Sequence, residues 1–161
     1  MQYLRLADLS MIYYIKDLCY NNGYADGKFS IVDAFPTDLS NLTVLPTVSV
    51  ESTFLSTRGY QLGSTDKGIL SFTIDVFAKS DGQADDIAYL IWNDFKNNNI
   101  PIYDFNSAFP STYNDYSGIS QIGNLSLDKP TLRTIPSPIM TVEEEQKYHR
   151  LLTIQTQIDL L

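Results

Sequence analysis

The block from Val44 to Phe105 constrains the fold most, because two alternating arms, a capped amphipathic helix and a proline-led strand follow one another without a break. In the first arm Val44, Pro46, Val48, Val50 and Phe54 alternate with Thr47, Ser49, Glu51 and Thr53, the period-two pattern of a strand with one buried face. Leu70, Phe72, Ile74 and Val76 repeat the pattern against Ser71, Thr73 and Asp75. The intervening Ser56–Gly68 stretch is rich in turn formers, which predicts a long hairpin with an exposed, irregular tip. Ser80-Asp81-Gly82-Gln83 then has the spacing of a capping box, in which the Ser80 side chain accepts from the Gln83 amide while the Gln83 side chain reaches back. Ala84, Ile87, Ala88, Ile91 and Phe95 fall on one helical stripe, and Asp81, Asp85 and Asp86 bring negative charge to the positive end of the helix dipole. Asn97-Asn98-Asn99 ends the helix, and Pro101, unable to donate a ladder hydrogen bond, marks Ile100–Phe105 as an edge-like strand.

Upstream, Leu4, Ala7, Met11, Ile15 and Leu18 recur at helical spacing over Gln2–Tyr20, with Asn21-Asn22-Gly23 as the stop. Leu6, Leu9 and Tyr13 add a second apolar stripe, which fits either deep burial or a helix shared between a sheet and a neighbouring subunit. Phe29–Phe35 reads as a short strand. Residues 106–140 read as an irregular insertion with a surface role, holding short strands near Ile119–Leu127 and Thr131–Ile135. Thr141–Glu145 suits a single helical turn, its three glutamates a solvated corner. Leu152, Ile154, Ile158 and Leu160 alternate with Thr153, Gln155, Gln157 and Asp159 as a closing strand. The expected fold is one α+β domain over residues 1–161: an antiparallel sheet with a long hairpin, flanked by an N-terminal helix and a second amphipathic helix.

The 161 residues, 43% of them hydrophobic, suffice for a real core. No apolar run approaches the roughly 20 residues that cross a bilayer, so a soluble protein is expected. Met1-Gln2-Tyr3-Leu4-Arg5 lacks the basic and apolar regions of a secretory signal, so synthesis in a cytoplasm and a mature chain starting here are expected. Nineteen acidic residues against eleven basic ones give a net charge of -8, which opposes a broad grip on nucleic-acid phosphates. The single Cys19 lies in the apolar helical pattern and is expected to be a buried thiol.

No catalytic signature is legible. His149 is the lone histidine, so a hydrolase would have to pair it with a carboxylate or nucleophile without motif support. Gly59, Gly63 and Gly68 lack the ending of a phosphate loop, and Asp26, Asp104 and Asp115 match no calcium-loop interval, so neither cofactor nor metal is expected. What remains is surface chemistry. Tyr103, Phe105, Phe109, Tyr113 and Tyr116 either close a satellite core or supply interface anchors, while Arg58, Tyr60 and Gln61 at the hairpin tip are candidate contact residues.

With this order of elements, the chain resembles the tail-terminator and neck (head-tail joining) proteins of tailed bacteriophages. The resemblance rests on Leu45-Pro46-Thr47-Val48-Ser49-Val50, on Leu70-Ser71-Phe72-Thr73-Ile74-Asp75-Val76-Phe77 and on the helix from Asp85 to Phe95. It implies a helix lying across an antiparallel sheet and a noncatalytic subunit of a homo-oligomeric ring, commonly a hexamer. Such a ring caps the tail tube and joins it to the neck and connector proteins, with DNA passing through the lumen. It also implies a place in the virion after assembly in the host cytoplasm. A baseplate or host-surface adhesin component, suggested by the Tyr/Asn/Ser-rich insertion, is the alternative, followed by a small hydrolase using His149.

Overall fold

The structure is a computed structural model describing residues 2–24, 27–33, 44, 46–58, 67–128, 130–135 and 148–161; at 2, 54, 56–58, 67 and 135 it describes the backbone alone. Its elements are α1 (Gln2–Asn21), β1 (Ser30–Val32), β2 (Thr47–Arg58), β3 (Lys67–Ala78), α2 (Asp81–Phe95), β4 (Ile100–Tyr103), β5 (Gln121–Leu127), β6 (Thr131–Ile135) and β7 (Tyr148–Leu160). The class is α+β, with a mostly antiparallel sheet in the order β1-β2-β3-β7-β5-β4 and only β1–β2 parallel.

The long hairpin forms as the alternation predicts. β2 and β3 pair from Thr47↔Phe77 to Arg58↔Lys67, with a register shift between Phe54 and Ser56. The first arm starts at Thr47 rather than Val44, because the lead-in is tied differently: Pro46 has no amide to donate, its carbonyl accepts from Ser30 N at 3.0 Å, and the Val44 carbonyl accepts from the Thr47 hydroxyl at 2.5 Å. The arm is not one-sided throughout, since Thr47 and Ser49 on its polar side are also buried, opposite the buried Phe77 and Asp75. The short strand expected over Phe29–Phe35 is limited among the described residues to Ser30–Val32.

β7 is the hub. One side of it pairs with β3, and the other pairs with β6 at Thr153–His149 and with β5 at Leu160–Thr156. The strands expected near Ile119–Leu127 and Thr131–Ile135 form as β5 and β6. Irregular backbone runs from Asn106 to Ser120, and β5 sits inside the sheet between β7 and β4. β5 lacked a strong apolar signal because its deepest positions are Leu125 and Gly123, and the glycine is required by close approach: a Cβ there would lie 2.6 Å from the Asp159 carbonyl oxygen. β4 ends the sheet, as Pro101 predicts.

α2 packs on β3 and β7 in the middle of the sheet, while α1 touches β4 at one end and β1 and β2 at the other. The sheet therefore curls, and α1 bridges its two ends. Ala7, Met11 and Ile15 of α1, Ile87 and Ile91 of α2, and Phe72, Ile74, Leu152 and Ile154 of the sheet meet in one core. Burial of the phenylalanine and each branched chain here contributes about 1.5–3 kcal/mol. At the end of α1, Tyr24 N donates to Cys19 O at 3.1 Å and Gly23 N to Tyr20 O at 3.2 Å, a Schellman motif with Gly23 at φ 97°. Ser80 caps α2 by accepting from Gln83 N at 3.2 Å, and the Gln83 side chain reaches back one residue further than expected, to Lys79 N at 3.1 Å.

Candidate functional site

The outer stripe of α1 carries Tyr13, Lys16 and Tyr20 at helical spacing, and the irregular stretch after β4 folds against it. Asp17, on the adjoining side of the helix and nearly buried, fixes that stretch. Its Oδ2 accepts from the Tyr116 hydroxyl at 2.5 Å and its Oδ1 from Asn114 N at 3.1 Å. Asn114 takes a left-handed backbone with φ 59°, and its side chain exchanges two amide hydrogen bonds with Asn21 at 3.0 and 2.8 Å. Burial first, then the Asp17 hydrogen bond and charge, hold the Tyr116 phenol well above the ordinary tyrosine range, so it stays a donor.

Aromatic packing completes the surface. Tyr20 and Tyr113 stack at 3.8 Å between centroids, Tyr103 and Tyr116 at 4.2 Å, and Phe105 and Phe109 at 5.6 Å, while Tyr13 leans on Phe105 at 5.1 Å. The result is a groove of about 370 Å³ lined by Tyr13, Lys16, Asp17, Tyr20 and the Pro110–Tyr113 stretch. The Lys16 ammonium lies 5.8 Å from the Tyr13 ring and 5.2 Å from the Tyr113 ring. Among the described residues no carboxylate forms an ion pair with it.

Of the expected contact residues, the structure gathers Tyr13, Tyr113 and Tyr116 at this one place. Leu9 is half-buried and lines a separate cavity with Ile12, Val50 and Phe72, and Leu6, 3% exposed, belongs to the intrachain core and presents almost nothing to a neighbour. Arg58 is at the end of β2 with its backbone opposite Lys67; Tyr60 and Gln61 lie outside the described residues, as do the glutamates at 143–145. Of the aromatic residues at 103–116, Phe105 belongs to the main core, Tyr103 and Tyr116 pack against it, Tyr113 stacks on Tyr20, and Phe109 protrudes, 56% exposed. Sequence reasoning missed Lys16, Asp17, Tyr20 and Asn114.

Two polar clusters lie elsewhere. Arg150, on the face of β7 under α2, donates through Nε to Asp85 at 2.7 Å and through an Nη to Asp81 at 2.5 Å. The aspartates at the helix start thus clamp a buried guanidinium besides complementing the helix dipole. On the opposite face, His149 Nε2 is hydrogen-bonded to Asp75 at 2.5 Å, and the imidazole stacks on Phe77 at 4.5 Å. Cys19 is buried, and burial pushes its thiol up to about 12, far from a reactive thiolate. No helix among the described residues is long and apolar enough to cross a membrane. The sequence matches no family model and no curated protein.

Proposed function

We propose that this chain is a noncatalytic, self-associating subunit of a tail-terminator or neck ring of a tailed bacteriophage. In that role a ring of copies, commonly six, caps the tail tube and joins it to the head-proximal connector, with DNA passing through the lumen. The observation that carries the reading is the packing of α2 across the antiparallel β3–β7 pair, directly after a hairpin with twelve-residue arms and with α1 bracing the sheet. This is the arrangement that the resemblance calls for. The net charge of -8 suits a lumen that lets a polyanion pass without holding it.

Native mass measurement and imaging of the purified protein with its candidate tail-tube partner test the reading: rings seated at a tube end are expected. A strictly monomeric protein at high concentration, with tail-tube protein present, removes the proposal. Reversing the charge at Arg58 is expected to weaken assembly more than folding, and unchanged assembly would discard the hairpin-tip contact alone. A second reading, an adhesin or baseplate component, draws on the groove, whose Tyr, Ser and Thr lining suits polar recognition. Binding to cells or glycans without tail protein would favour it.

A further inference from the structure

The last turn of α1 carries chemistry that neither the groove nor the sheet uses. Asn22-Gly23 is the one Asn-Gly pair in the sequence, and both residues are exposed. An asparagine carboxamide is an electrophile within reach of the next backbone nitrogen, and glycine, with no Cβ, hinders that approach least. Every other asparagine precedes a residue that has a side chain. The surroundings add no obstruction, since nothing lies within 4 Å of the place a Gly23 Cβ would occupy. The folded chain instead holds both reacting groups apart. Asn22 Nδ2 donates to Leu18 O at 2.8 Å, which turns the carboxamide back along the helix, and Gly23 N donates to Tyr20 O at 3.2 Å in the Schellman motif.

We infer that Asn22-Gly23 is a spontaneous deamidation site that the C-cap of α1 keeps closed and that unwinding of this turn opens. In the open turn Gly23 N gives up its proton and attacks Asn22 Cγ. The N–Cγ bond forms, the Cγ–Nδ2 bond breaks, and Nδ2 takes up the proton and leaves as ammonia. Water then opens the resulting five-membered imide. Opening at Cγ leaves aspartate, and opening at the main-chain carbonyl leaves isoaspartate, whose chain runs through Cβ and Cγ. Nothing is oxidised or reduced, and water is the only co-reactant. Either product acts on the groove. A carboxylate replaces a donor at the Leu18 carbonyl and at the negative end of the α1 dipole, where acid is unfavourable. The adjoining Asn21 side chain exchanges two hydrogen bonds with Asn114, so a disturbed last turn loosens the stretch that walls the groove. The reaction needs no partner chain and so goes beyond the ring reading.

The test is the rate at which the tryptic peptide 17–28 gains the mass of an amide-to-acid change during incubation at mildly alkaline pH, with fragmentation assigning the change to Asn22. In the folded protein that rate is expected to be roughly 10- to 100-fold below the rate in guanidinium chloride, the scale of holding two hydrogen bonds closed. Asn22→Gln should abolish the gain in both conditions and leave the circular dichroism unchanged. Asn114→Gly suits the left-handed backbone at that position and removes the partner of Asn21. It is expected to raise the folded rate several-fold and to leave the rate in denaturant as it was. Equal wild-type rates in the folded and denatured chain overturn closure by the C-cap. Conversion of another asparagine ahead of Asn22 in denaturant overturns the site. A folded Asn114→Gly variant that converts no faster than the wild type overturns the link to the groove.

Discussion

The Arg150 clamp predicts an unequal response to removing its two sides. The Arg150 side chain is 6% exposed, whereas those of Asp81 and Asp85 are 68% and 59% exposed. Arg150→Met keeps the apolar stem and leaves two carboxylates that water can solvate, so the loss is that of hydrogen bonds made to partly exposed charges, about 1 kcal/mol. Asp81→Ala/Asp85→Ala instead strands a guanidinium under α2 with one further acceptor, the His149 carbonyl at 3.2 Å. Breaking a buried pair by leaving its charge uncompensated costs about 3–5 kcal/mol, and the low end applies here because that carbonyl remains. Loss of the acids from the first turn of α2 adds about 0.3–1 kcal/mol through the helix dipole.

Urea unfolding followed by circular dichroism measures the difference. With a slope of about 2 kcal/mol/M, the double aspartate variant should lose about 2 M in midpoint and Arg150→Met about 0.5 M. The decisive variant combines all three changes. With no cation left to strand, it should recover to near Arg150→Met, so that adding a third substitution stabilises the protein. If the triple variant is as unstable as the double, the stranded-charge argument is wrong and the aspartates act through the helix start alone.

Asp17→Ala removes the acceptor for both the Tyr116 hydroxyl and the Asn114 amide, and is expected to cost about 2 kcal/mol and to speed hydrogen exchange at Asn114 ahead of the sheet; an equal acceleration throughout would show that Asp17 does not hold the stretch locally. Gly23→Ala should cost about 1–2 kcal/mol in thermal or urea unfolding and Gly23→Asn less, because the positive φ, and not space, is the obstacle: an added Cβ meets nothing within 4 Å. The folded pKa of Cys19, about 12, lies above the free-thiol value of about 8.5, so its contribution is full below pH 8.5 and is lost as pH rises toward 12. Tyr14 and Tyr116, raised by burial and by Asp94 and Asp17, act in the same direction from about pH 10 upward; stability should be flat in this respect through neutral pH and fall in alkali, with Cys19 reacting with a thiol reagent only on unfolding.

Where a pattern has a period, the sequence was readable. The hairpin arms, the α2 stripe, its Ser80 cap and the final strand each repeat a local rule, and local rules need no knowledge of distant residues. β5 was legible as a short strand but not as one inside the sheet, because its closest approach to β7 is made by Gly123, which has no side chain to join an apolar count. The groove escaped for another reason: Asp17 binds Asn114 and Tyr116 across nearly a hundred residues, and no spacing rule reaches so far. Its one local trace was Tyr13, Lys16 and Tyr20 on a single stripe of α1, which on sequence alone reads as an ordinary amphipathic surface.

Arg150 shows how a sufficient local explanation can hide a tertiary one. The helix dipole suffices to explain Asp81, Asp85 and Asp86, so nothing local in the sequence points to a cation for them. Yet the strand that begins at Tyr148 puts Arg150 on the same face as Leu152, Ile154 and Ile158, the face that packs against the helix. A charged residue at an inward position is the informative violation, because the interior tolerates it only with partners in reach. The break in alternation at 150, together with an acid-rich helix start and a sheet-helix packing already predicted, was enough to demand a pair. The two explanations do not compete: the dipole makes the first turn of α2 favourable to acid, and the acid there lets β7 carry a guanidinium beneath the helix.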